Sequence, residues 1–235
     1  MKCIPVFLLL AAGGFAADFA TGQAARLVIG QQTFTAQDPS SSDTIVGGVS
    51  GLAYANGTLF VADANRVSAA PVNHRVLFFP TSQFPGPTIS LDYDRKCPAC
   101  VGQASLVLGQ PDFTPPTSDL IPATQQSLRL PTAVASDGVH LVVADTDHNR
   151  VLIWNSIPTV NNQPADVVVG QPDFKSTSLP GNVPNAKSMR GPQGVWILNG
   201  KLYVADTQNN RVLIFNSIPT SNGAAADVVL GAKDF

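Results

Sequence analysis

Twelve residues, Val204–Phe215 (VADTQNNRVLIF), return almost unchanged 61 positions earlier as Val143–Trp154 (VADTDHNRVLIW). A looser copy opens at Val61 as VADA and resumes at Arg75 as RVLFF, with seven extra residues between its halves. A second text keeps the same beat: VLGQPDF from Val107, VVGQPDF from Val168 and VLGAKDF from Val229, with VIGQQTF from Val28 as an outlying first member. Self-similarity at a fixed period implies stacked structural units, so the fold must be read from the unit before any single residue is read.

Each unit predicts four short antiparallel strands. Apolar residues alternate on both sides of Asn56-Gly57, and Asp137-Gly138 and Asn199-Gly200 hold the same place in the other units. A type I′ turn needs positive φ at both central residues, and these dipeptides supply it. The signature follows as strand, tight polar turn (Thr146 to Asn149 in the second unit) and returning strand, with Asx residues suited to the turn. A fourth strand comes after NSIPTVNNQPA or NSIPTSNGAAA. For the second unit the expected strands are 132–136, 140–145, 150–154 and 166–170. Long polar loops, Gln110 to Leu130 and Gln171 to Gly191, lead into the next unit. Tandem four-stranded units without helical periodicity predict an all-β fold, a β-propeller, with blades at about 48–109, 130–170 and 191–231. An extra strand at 26–30 would be the outermost strand of a closing blade.

Three blades and one strand are too few for a ring of four to eight blades. The expectation is a C-terminally incomplete chain, half of a six-bladed ring. Otherwise a three-blade arc needs the remaining blades or a partner to cover an apolar face.

Composition narrows the partners. Charged residues make up 13% of the chain and the net charge is −2. There is no basic face for nucleic acid and no polybasic patch for anionic lipid. Lys2, the apolar run Ile4–Ala12 and the small residues Gly14 and Ala16 read as a secretory signal peptide over residues 1–16. That leaves 17–235 as a secreted or periplasmic chain with no membrane insertion after cleavage.

The blade text resembles NHL repeats. GPQGVWILNGKLYVADTQNNRVLIF (Gly191–Phe215) fits that pattern almost throughout, and LPTAVASDGVHLVVADTDHNRVLIW (Leu130–Trp154) departs at Ala133, where glycine is usual. The first unit carries Val49 in place of the proline, and its signature is split by the insertion. The resemblance covers about Gly48 to Phe235 and implies the propeller. Its members include interaction modules, sensor ectodomains and a few lyases, so it implies no single activity.

Candidate chemistry is sparse. Asp63 with Arg75, Asp145 with Arg150 and Asp206 with Arg211 recur in every unit, which favours cross-strand pairs holding the hairpin, each worth ~0.2–1 kcal/mol. The alternative is a ring of arginines around an anionic ligand. Hairpin turns and long loops share one face of the propeller, where a ligand is expected. His74 and His148 lie on that face but out of register with each other, as polar turn filler would; His140 lies on the opposite face. Cys97-Pro98-Ala99-Cys100, in an insertion of the first unit, favours a local disulfide in an oxidising compartment over a redox dithiol or half a zinc site. Asp112 and Asp173 in the GQPDF text read as turn residues with Phe113 and Phe174 packing beneath, and Asp38, Asp43 and Asp119 as loop carboxylates. No catalytic residue, metal site or cofactor is expected. The leading reading is a non-enzymatic scaffold for a protein, peptide or glycan. The alternatives are a metal-assisted propeller lyase or hydrolase with its catalytic residues in missing blades, and the sensor ectodomain of a larger protein.

Overall fold

A computed structural model describes residues 21, 25, 27–38, 40–64, 73–84, 102–114, 121–178 and 183–235. The described residues form three four-stranded antiparallel sheets, each strand paired with its neighbours in chain order. Blade 1 comprises β1 (Val49–Ala55), β2 (Thr58–Asp63), β3 (Arg75–Pro80) and β4 (Leu106–Leu108). Blade 2 comprises β5 (Pro131–Ser136), β6 (Leu141–Asp145), β7 (Arg150–Trp154) and β8 (Val167–Val169). Blade 3 comprises β9 (Pro192–Leu198), β10 (Lys201–Asp206), β11 (Arg211–Phe215) and β12 (Val228–Leu230).

The sheets pack face to face. Their first strands β1, β5 and β9 lie side by side, while the outer strands make few contacts with one another. This fanning about the first strands is the geometry of propeller blades. Blade 2 is sandwiched, so β6 and β7 are buried at every residue. Alternate side chains serve the two sides: Leu141, Val143, Leu152 and Trp154 pack on blade 1, and Val142, Ala144, Val151 and Ile153 on blade 3. Phe60 and Phe78 meet edge to face with ring centroids 4.8 Å apart, within the range of a favourable aromatic pair. Among the described residues blade 3 is covered on one side only, and β10 and β11 accordingly alternate between buried and half-buried residues.

Two local expectations are corrected. The Asn56-Gly57 and Asn199-Gly200 turns have two residues, both at positive φ, as type I′ requires. Asp137-Gly138 does not: Ser136 pairs with Leu141 across a four-residue loop. Asp137 Oδ1 accepts from the main-chain N–H of Val139 and His140, which sets the wider turn. The strand expected at 26–30 is also not formed in its described part, Leu27–Gly30, which among the described residues has no strand alongside to build a ladder. It nevertheless sits where a preceding blade's outer strand would end. Gly30, at φ +84°, accepts from Val46 N, and Gly170, at φ +86°, accepts from Met189 N in the same way. Ile29 and Val46 thereby cover part of the outer face of blade 1.

Candidate functional site

Each signature carboxylate sits directly across its hairpin from the signature arginine. Asp145 Oδ2 accepts from Arg150 Nε at 2.7 Å and from His148 Nδ1 at 2.8 Å, while Oδ1 accepts from Arg129 N at 2.6 Å. Asp206 repeats this with Arg211, Asn209 and Arg190 N, and Asp63 with Arg75, Asn73 and Gly48 N. The three carboxylates are fully buried.

The guanidinium groups reach further than a hairpin. Arg150 donates to the carbonyls of Thr124, Ser127 and Phe174, and Arg75 to those of Ser42, Ile45 and Phe113. Arg211 donates to Asn185 and Ser188. The arginine therefore ties the loop before its blade to the hairpin and, in blades 1 and 2, to the GQPDF segment after it. Burial holds Arg75 below its ordinary pKa, opposed by the charges of Asp63 and Asp43. A buried pair with all its partners is costly to break, because removal of one member strands the other charge; about 3–5 kcal/mol is typical. The sequence had suggested a simple cross-strand pair of smaller worth. The carbonyl acceptors, which belong to residues of no particular type, were not legible in it.

The two histidines do different work. His148 is buried and joins Asp145 to the loop, with Nε2 2.9 Å from Ile121 O. Asn73 and Asn209 make the same bond to their own Asp. His74, at φ +45°, is also buried, and its Nδ1 accepts from Leu130 N of blade 2. Asn149 in blade 2, likewise left-handed, accepts through Oδ1 from Gly191 N of blade 3. Each histidine thus occupies an asparagine's place in the repeat.

The remaining carboxylates organise their own loops. Asp112 accepts from Thr114 N. Asp173 accepts from Lys175 N and Ser176 N, which lower its pKa. Asp38 is lowered by Ser40 N, and Asp43 accepts from Gln103. Burial works against ionisation of Asp137, but hydrogen bonds from His140 and from the His140 and Val139 main chains outweigh it and lower the pKa. Phe113 and Phe174 pack against the apolar clusters of blade 1 and of the blade 1–2 interface. Cys97, Cys100, Asp119 and the segment 1–16 lie outside the described residues. Among the described residues no group of three His, Cys, Asp or Glu side chains is placed to hold a metal ion, and no helix is long and apolar enough to cross a membrane.

Loop and turn residues around blade 2 meet at one place on the long-loop face. Ile121, Pro122, Ala123 and Arg129 from the loop before blade 2, Asp147 and His148 from its hairpin turn, and Lys175 and Thr177 from the loop after it line an open depression of about 500 Å³. Arg150 anchors the first loop, and Asn149 Nδ2 holds Thr177 O at 2.9 Å. Arg129 Nε lies 3.7 Å from Asp147 and makes no hydrogen bond. The depression thus pairs an apolar wall with two cations, Arg129 and Lys175, and one carboxylate, Asp147, which faces Arg129.

No protein-family model and no curated protein matches the chain. Among solved structures it is similar to glutaminyl cyclase of Myxococcus xanthus, at 12% identity and a TM-score of 0.41, over 83% of this chain and 54% of that one. It is also similar to apo AztD from Citrobacter koseri, at 11% identity and a TM-score of 0.35, over 81% of this chain and 49% of that one. The chain spans about half the length of each. At these values the likeness adds nothing to the fold read from the three sheets.

Proposed function

We propose that the chain is an exported NHL-type propeller unit that binds a protein or peptide ligand and performs no catalysis of its own. The depression between the long loops of blade 2 carries this reading. Its wall of Ile121, Pro122 and Ala123 suits an apolar side chain, and Arg129 and Lys175 suit a neighbouring carboxylate. Around it, the repeated Asp, Arg and hairpin His or Asn side chains are engaged in the hairpin hubs, so the side chains of the loop residues lining the depression are the ones available for recognition. The NHL pattern at Leu130–Trp154 and Gly191–Phe215 supports a family of interaction modules, and Lys2 with the apolar run Ile4–Ala12 supports export.

The test is binding of the purified chain to immobilised acidic-apolar peptides and to a glycan array. The reading predicts peptide binding that weakens at least about tenfold when Arg129 and Lys175 are both changed to alanine, each lost charge-assisted bond being worth ~1.5–3 kcal/mol. Selective glycan binding, or peptide binding indifferent to these two residues, would sink it.

A further inference from the structure

At both blade seams, the loop before a blade and the connection between its last two strands meet beside the preceding blade's outer strand. In blade 2, Asn161 Oδ1 accepts from Val107 N, and Asn162 N donates to Val107 O; in blade 3, Asn222 and Gly223 hold Val168 in the same way. Residues 162 and 223 are both left-handed, at φ +53° and +63°. The two seams share this main-chain frame, and the side chains decide what fills it.

Between blades 1 and 2 the frame is bridged. Gln126 Nε2 donates to Asn162 O at 2.8 Å and Gln125 Nε2 to Ala165 O at 3.4 Å, so two side-chain amides tie loop to connection. Between blades 2 and 3 the corresponding residues are Lys187, Gly223 and Ala186. Among the described residues Lys187 bonds only through its main-chain N–H, which it gives to Asn185 Oδ1, and its exposed ammonium has no partner. A Cβ on Gly223 would stand 3.3 Å from Pro172 Cα, so the missing side chain leaves space over that proline. The result is a cleft of about 360 Å³ walled by Gln171 and Pro172 on one side and by Lys187, Asn222 and Gly223 on the other. Small-molecule sites begin at about 300 Å³. No carboxylate lines it. Asn222 Oδ1 is taken by Val168 N, which leaves Nδ2 as a donor without a partner among the described residues. Gln171, 1% exposed, gives Nε2 to Asn149 O at 3.0 Å, and its buried Oε1 is an acceptor with no partner among them.

We propose that this cleft binds a small hydroxy acid. The ligand's carboxylate accepts from Lys187 Nζ and Asn222 Nδ2, and one of its hydroxyls donates to Gln171 Oε1. The set of groups selects this class. A neutral polyol leaves the ammonium without a counter-charge, and a cation would meet Lys187 with no carboxylate to hold it. A plain alkyl carboxylate satisfies the cation but sets methylenes against amides and leaves the buried acceptor unmet. The proposal does not rest on the peptide reading above, whose cations Arg129 and Lys175 line a different depression.

The experiment titrates the purified chain by calorimetry with three six-carbon probes: gluconate, sorbitol, which lacks the carboxylate, and hexanoate, which lacks the hydroxyls. Gluconate should bind at a single site, at least about tenfold tighter than either of the others. Lys187→Gln combined with Gly223→Asn installs the residues of the blade 1–2 bridge and should weaken gluconate at least about tenfold without lowering the melting temperature. If the double variant does melt lower, Lys187→Gln alone, at an exposed position, carries the same comparison. Arg129→Ala with Lys175→Ala should leave gluconate affinity unchanged. No heat with gluconate at millimolar concentration, hexanoate binding as tightly, or an affinity indifferent to the seam variants would overturn the proposal. So would loss of gluconate binding in the Arg129 and Lys175 variant, which would place the acid in the blade 2 depression.

Discussion

At Asp145 a histidine makes the bond that asparagine makes at Asp63 and Asp206. The carboxylate requires a donor at that position, and either side chain provides one. His148→Asn therefore costs about 1 kcal/mol, chiefly the contact with Ile121 O, whereas His148→Leu withdraws a donor from a buried charge and costs about 1.5–3 kcal/mol. Urea unfolding of the two variants checks this, and equal losses would contradict it. At this scale the sequence was half legible. The spacing of Asp145 and Arg150 marked a pair across a turn, and alignment of the units showed that His74 and His148 fall in asparagine columns. Their depth was hidden, because the partners of Arg150 are the carbonyls of Thr124, Ser127 and Phe174, and a carbonyl leaves no trace in residue identity. Asn161 and Asn222, 54 residues after Val107 and Val168, were the one missed set with a readable signal.

Among the elements, strands and two-residue turns were read well because apolar alternation and Asn-Gly act locally. The Asp137 turn was misread because the Asp side chain captures two main-chain N–H groups and widens the loop, an outcome that the dipeptide alone does not encode. The segment 27–30 differs for another reason: a strand is defined by its neighbour, and among the described residues no strand lies beside it. Glycine separates conformational from steric demand. Gly200 has φ +73° with nothing near its absent Cβ, while Gly170 has φ +86° with Met189 within 3 Å. Gly200→Ala should cost about 1–2 kcal/mol of backbone strain, and Gly170→Ala that much plus roughly 1–3 kcal/mol of overpacking at the blade 2–3 interface. Thermal melts compare them, and a Gly170 variant no worse than the Gly200 one would count against a tight seam there.

Across the whole molecule, the three sheets are joined by two shared apolar cores and by hubs that fasten the long loops to the hairpins. The most recognisable text in the chain is therefore its scaffolding, and the function proposed above places specificity in the loop residues around blade 2. Arg150 tests this most directly, since it is buried in the hub of blade 2 yet lies beneath the depression assigned to ligand. Arg150→Ala strands Asp145 and frees three carbonyls. Equilibrium urea unfolding should show one cooperative transition lowered by about 3–5 kcal/mol. An unchanged midpoint together with lost ligand binding would make Arg150 a recognition residue and contradict the division between scaffold and site.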